Sequence, residues 1–226
     1  MKKLFLPILF SLFLPAMFSC GSANKLGKYT LTEADAAGAI RELLSLGAKD
    51  GASAAFTKDA IMAQLFPESV RKTLNTMQQL GITSEVDRFT TTLATASEKT
   101  AERSIPIFIS SINRMHFSDA IRIIKNGGTS ATDYLRSSIG SELRESIKPV
   151  MKQALDEYKL TEQWSKIVKP VETIGNMKFN LDLSNIMAGM VSEAMFRKIE
   201  EKEIEIRNNA AARPTRLLQQ VFSRSW

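Results

Sequence analysis

The chain is predicted to fold as an all-α protein, an irregular bundle of about eight helices joined by short connections behind an export signal. Three observations carry this expectation. Apolar residues recur at helical spacing through most of the 226 residues, capping residues and glycines bracket those stretches, and no segment alternates with a period of two for long enough to make a strand. The composition suits one well-packed domain, at 44% hydrophobic and 24% charged residues, with aromatics that are mostly Phe. There is no repeat of solenoid length.

The first twenty residues differ in kind. Lys2 and Lys3 precede an uncharged apolar run from Leu4 to Phe18 that closes in small residues and Cys20, the layout of a secretory signal peptide. The run is short of the roughly 20 residues needed to cross a ~30 Å hydrocarbon layer. Met17-Phe18-Ser19-Cys20 resembles a bacterial lipobox, in which a small residue precedes the cysteine that is acylated and exposed by cleavage. This reading makes 1–19 a lipoprotein-type signal peptide and 20–29 a tether, with 30–226 a single helical domain. An ordinary signal peptidase using Gly21 and Ala23 would instead release a soluble chain from Asn24. Cys20 is the only cysteine, so no internal disulfide can form, and acylation removes an otherwise reactive lone thiol from an oxidising compartment. The expected address is the periplasm, lipid-anchored through Cys20 to the outer membrane.

The elements follow in order. LTEADAAGAIRELLSLG opens at Thr32 as N-cap, carries Glu33 and Asp35 in its first turn and stops at Gly47. PESVRKTLNTMQQLG starts at Pro67, ends before Gly81 and aligns Val70, Leu74, Met77 and Leu80 on one stripe. Thr83 to Met115 reads as one helix bent at Pro106, or two meeting near Ile105. A short helix DAIRIIKN, capped by Ser118, ends at Gly127 and Gly128. The next runs from Thr129 or Ser130 to Tyr158, with a bend or break at Pro149. Thr161 to Ile174 is another helix and Gly175 to Asp182 a loop. Ser184 opens the longest helix, with Met187, Val191, Met195 and Ile199 on its apolar face and Glu193 to Arg197 and Glu203 to Arg207 paired on the solvated one. Pro214 to Phe222 folds back on it. Short connections predict antiparallel neighbours.

The chemistry is informative by what is missing. His116 is the only histidine, which excludes zinc sites built on two or three imidazoles. Gly-x-Ser-x-Gly, Walker and Gly-x-Gly-x-x-Gly patterns are absent. No cofactor, metal or catalytic residue is assigned, and the chain reads more as a binding module than as an enzyme. Without Lys2 and Lys3 there remain 28 basic against 24 acidic residues, too balanced to indicate nucleic-acid binding. His116 is expected to be a surface or capping residue. One segment suggests a site: in NGGTSATDYLR, Gly127 and Gly128 can form an anion-binding nest, with Thr129, Ser130, the following helix start and Arg136 adding donors. The structural alternative is that Gly127 ends one helix and Thr129 or Ser130 caps the next, which alone accounts for every residue. The run EEKEIEIR is expected to be a solvated face of paired charges.

Three stretches together resemble one family of exported bacterial proteins, domain of unknown function 4197. They are ADAAGAIRELLSLG, PIFISSINRMHFSDAIRIIKNGGTSATDYLR and EEKEIEIRNNAAARPTRLLQQVF. The central block matches at Pro106, Phe108, Asp119, Ala120, Gly127, Gly128, Ala131, Thr132, Tyr134 and Arg136. The C-terminal block matches at Arg207, Asn208, Ala211, Ala212 and Arg213. Ala210 stands where the family often has proline, which would lengthen the last turn of the long helix. The resemblance implies a helical fold and an envelope address, and no activity. The expected partners are thus the membrane, through the lipid on Cys20, and an envelope protein or a small ligand, with the Gly127 to Arg136 region as a receptor or enzyme site in the alternative reading.

Overall fold

Thr32 sets the first helix as its sequence predicts: its hydroxyl accepts the Asp35 amide at 3.1 Å, and α1 runs over Glu33–Lys49. The structure is a computed structural model that describes residues 30–51, 56–66, 68, 71–72, 84–175 and 182–224. Leu31–Trp226 forms one compact unit. Among the described residues there are eight bounded helices and no strand, so the fold is all-α. After α1 come α2 (Lys58–Leu65), α3 (Ser84–Arg114), α4 (Ala120–Asn126), α5 (Ser130–Glu157), α6 (Leu160–Gly175), α7 (Leu183–Asn208) and α8 (Arg216–Phe222).

Four long helices build the core. α1 packs against α3 and α7, and α5 packs against the same two. Each buries one stripe: Ala36, Ile40, Leu43 and Leu44 of α1; Phe89, Leu93, Phe108 and Ile112 of α3; Leu135, Leu143, Ile147 and Met151 of α5; Met187, Val191, Met195 and Ile199 of α7. Each set follows helical spacing and removes several large side chains from water, at about 1.5–3 kcal/mol apiece. α5 and α7 run antiparallel, since Arg136 meets Glu193 near one end and Lys148 meets Asp182 near the other. α3 and α5 do likewise, with the Thr100 hydroxyl on the Met151 sulfur and the Tyr134 hydroxyl on the His116 carbonyl.

Several boundaries differ from expectation. Gly47 does not stop α1. It is buried within the helix, where an added Cβ would stand 2.6 Å from the Ile199 Cα of α7, so its missing side chain serves a close helix contact. Gly51, at φ 68, is the left-handed residue beyond the helix end. α2 was not anticipated; Thr57 caps it through the Ala60 amide. Of the helix expected over 67–80, only Glu68, Arg71 and Lys72 are described, and these are helical. The rest of that segment, Thr83 and most of the loop expected after Gly175 lie outside the described residues.

Both prolines sit inside unbroken helices, Pro106 in α3 and Pro149 in α5. Both are exposed, as are Glu102 and Glu145, whose carbonyls lose their helical partners. Water can serve those carbonyls, so no break follows. α3, with 31 residues, is the longest helix, not α7. α7 opens at Leu183 with Asp182 as N-cap, two residues ahead of Ser184. It ends at Asn208, and Ala210 opens a separate 3₁₀ turn instead of lengthening the helix. α8 begins after Thr215 and packs chiefly on α1, not α7, with the Thr215 hydroxyl donating to Glu42 at 2.5 Å.

Candidate functional site

The corner between α4 and α5 is where the sequence placed its candidate residues. Gly127 and Gly128 have φ 68 and 55, and a Cβ on either would meet nothing within 4 Å. Glycine is therefore required there by the left-handed backbone and not by crowding. Thr129 stands at the N-cap of α5 without a side-chain capping bond. Its hydroxyl donates to Asp133 at 2.9 Å. Ser130 donates to the Ile123 and Gly127 carbonyls, both at 2.7 Å. Neither hydroxyl caps the helix.

The cap comes from another helix. Glu203 of α7 is wholly buried, and its carboxylate accepts the Ala131 amide at 3.0 Å and the Thr132 amide at 2.8 Å. The Thr132 hydroxyl adds a third bond at 2.7 Å. Arg207, one turn further along α7, donates to the same carboxylate through Nε at 3.0 Å and Nη2 at 2.8 Å. Its guanidinium also reaches the carbonyls of Ile123 and Ile124 at the end of α4, and lies over the Phe222 ring at 5.2 Å. The pair thus sets a negative group on the amide end of α5 and a positive group on the carbonyl end of α4, as the two helix dipoles favour.

The i to i+4 pairing of Glu203 with Arg207 was legible, but not its burial. Solvation was the expectation for this charge run; the structure instead places its third acidic residue, Glu203, in the core. Glu193 pairs with Arg136 of α5 at 3.0 Å, not with Arg197. α4 is capped in the same borrowed way. Asp119, with left-handed φ 56, is its N-cap without a side-chain bond, and Glu33 of α1 accepts the Ile121 amide at 3.3 Å. Ser118, expected to cap, instead shares a hydrogen with the Tyr134 hydroxyl at 3.3 Å. The exposed His116 contributes its carbonyl to Tyr134.

The structure therefore gathers Gly127, Gly128, Thr129 and Ser130 at one corner but directs Arg136 elsewhere. Arg136 pairs with Asp133, Glu193 and Glu200, covers the Phe196 ring, and lines a separate cleft of about 250 Å³. An anion at the start of α5 would have to displace Glu203 or use the glycine corner without the Ala131 and Thr132 amides. Beside the glycines, between the ends of α4, α7 and α8, lies a larger cleft of about 360 Å³. Cys20 lies outside the described residues.

The C-terminal block that carried the resemblance now has a structural reason. Arg213 is buried and donates to the carbonyls of Ile206 and Arg207, both at 2.8 Å, which caps the end of α7. A family model for a protein of unknown function, DUF4197, matches residues 30–223. The chain belongs to the DUF4197 family. No curated protein and no solved structure matches it. Thr132 and Arg207, both among the residues matching the DUF4197 pattern, thus meet through Glu203 at the junction of α4, α5 and α7, and Arg213, a third, closes the end of α7. No described helix of this DUF4197 domain is long and apolar enough to cross a membrane.

Proposed function

We propose that this DUF4197 protein is an exported lipoprotein, held by an acylated Cys20 at the periplasmic face of the outer membrane, whose helical domain works by binding a partner or ligand and not by catalysis. The observation that carries the reading is the leader: two lysines, an uncharged apolar run from Leu4 to Phe18, then Ser19 and Cys20. The family match supports it by beginning at residue 30, directly after the leader and a ten-residue tether. An acylated cysteine with two or three chains anchors stably where one chain binds only marginally.

The charged groups of the Gly127 corner, Glu203 and Arg207, serve the helix ends of the domain itself, and the only histidine of the chain, His116, is exposed. Intact mass of the mature protein is expected to show acyl groups on Cys20, and Cys20→Ala to move the protein from the membrane to the soluble fraction. An unmodified N-terminus at Asn24 overturns the anchor.

A further inference from the structure

We infer that the cleft between α5 and α7 binds a small monocarboxylate, held by the Arg144 guanidinium and the Ser192 hydroxyl over a floor that Gly140 and Gly189 keep bare. This names a ligand for the binding reading above and does not depend on acylation of Cys20. The cleft measures about 250 Å³, below the roughly 300–1,000 Å³ of drug-sized sites, so its occupant has only a few carbons.

The positive charge comes from Arg144 alone. Its single hydrogen bond to the protein runs from Nη2 to the Asn185 carbonyl at 3.3 Å, and no described carboxylate pairs with it. Four of its five N–H donors are therefore unused, in the planar fork that fits a carboxylate. Arg136, two turns away on α5 and about 12 Å along its axis, adds no free charge, because Asp133, Glu193 and Glu200 all pair with it. Those acids leave the Arg136 end negative. The cleft thus favours one negative charge beside Arg144 over a dianion such as phosphate.

Ser192 supplies the second contact. It is 5% exposed and lines the cleft, yet its hydroxyl bonds no described group. Buried hydroxyls elsewhere in the core, on Ser97, Thr100 and Ser104, donate to the carbonyl one turn back, a local bond open to any helical serine or threonine. Ser192 instead keeps its donor for the cleft, where a carboxylate oxygen would satisfy it.

The glycines complete the site, and neither is left-handed. A Cβ on Gly189 would stand 3.2 Å from the Arg144 guanidinium, so its absence seats that group against α7. A Cβ on Gly140 would meet Arg136 and the Phe196 ring at 3.7 Å, an ordinary contact. Alanine would fit there and suit the helix better. Neither backbone conformation nor crowding accounts for Gly140; an open floor does, because a methyl group would occupy it.

The test is saturation-transfer NMR on the full chain held in phosphatidylcholine nanodiscs, with signals from empty discs subtracted. The probe is propionate, with propionamide as its neutral counterpart and acetate and inorganic phosphate as competitors. Propionate is expected to bind saturably and about tenfold more tightly than propionamide, the difference between a charge-assisted and a neutral hydrogen-bonded pair. Acetate should displace it at lower concentration than phosphate does. Arg144→Gln should weaken propionate about tenfold; Arg144 is exposed, so the fold survives. Gly140→Ala should weaken it severalfold while raising the thermal unfolding midpoint, so that lost binding is not lost folding. Propionate that does not saturate, that binds no better than propionamide, or that phosphate displaces more readily than acetate does overturns the proposal. An affinity unaltered by Arg144→Gln or by Gly140→Ala overturns it equally. Membrane fractionation of Cys20→Ala is a separate readout, so failure of the anchor and failure of this site are distinguishable.

Discussion

Glu203 receives five hydrogen bonds, two from backbone amides, one from a hydroxyl and two from Arg207. A buried carboxylate is tolerated only when its acceptor sites are filled and its charge is matched. Glu203→Gln keeps the volume but removes the charge, leaving Arg207 unpaired and the α5 amides facing an amide nitrogen. We expect a loss of about 3–5 kcal/mol in urea unfolding, against about 0.5 kcal/mol or less for Glu201→Gln, two residues away, whose pair with Lys198 is exposed. A loss below about 1 kcal/mol for Glu203→Gln would show that the buried network is not formed. Asp182 is a simpler case. Its carboxyl sits below its ordinary value because the Ser184 hydroxyl and the Asn185 amide donate to it, with Lys148 nearby. A group depressed on folding stabilises above its unfolded pKa and ceases to do so as pH falls through its folded one. Asp182→Ala should therefore cost about 1 kcal/mol at neutral pH, and the gap from wild type should narrow below about pH 4. Equal gaps across that range would contradict the cap.

At the scale of elements, helices α3 and α5 continue through proline, and α1 continues through glycine. Pro149 removes one ladder bond on the solvent side of α5, so Pro149→Ala is expected to raise stability by about 1–3 kcal/mol, read as a higher urea midpoint at unchanged m-value. No gain would mean that the proline is favoured by the curvature of the helix. Gly47 is the opposite case. An added Cβ meets backbone, the Ile199 Cα at 2.6 Å, so α1 and α7 must separate. Gly47→Ala should destabilise by about 1–3 kcal/mol, despite alanine's better helix propensity. Gly38→Ala is the control: its Cβ would meet only the flexible tip of Leu217 at 3.1 Å, and its cost in thermal unfolding should be smaller. The helical character of these elements was legible from periodicity and from Thr32. Their ends were less so, because Gly47 carries the same letter whether it stops a helix or admits a neighbour.

For the whole molecule, Leu31 is the first buried residue among the described ones, and the family match begins beside it at residue 30. The proposed tether of ten residues would span about 33–36 Å at most if fully extended, which bounds how far an anchored domain would stand from the membrane. If the proposed anchoring holds, Cys20→Ala should change location while leaving the unfolding midpoint of the mature protein unaltered. A shifted midpoint would mean that the N-terminal segment packs on the domain. The four-helix core draws on the stripes of α1, α3, α5 and α7, and the larger cleft arises only where the ends of α4, α7 and α8 converge. Lys125, Ile204 and Phe222 are far apart in sequence, and no motif joins them.

The linear chain was sufficient to establish the all-helical class, the main apolar faces, the Thr32 cap and the glycine corner, because each depends on residues within one or two turns of one another. Folding alone decided that Glu203 caps α5, that Glu33 caps α4, that Arg136 turns away from the glycines and that α8 lies on α1. In each case a polar group chose its partner by proximity in space, across 57 to 88 positions for the three polar contacts. Local spacing carries no trace of such distant choices, and a buried glutamate looks the same in sequence as one left in water.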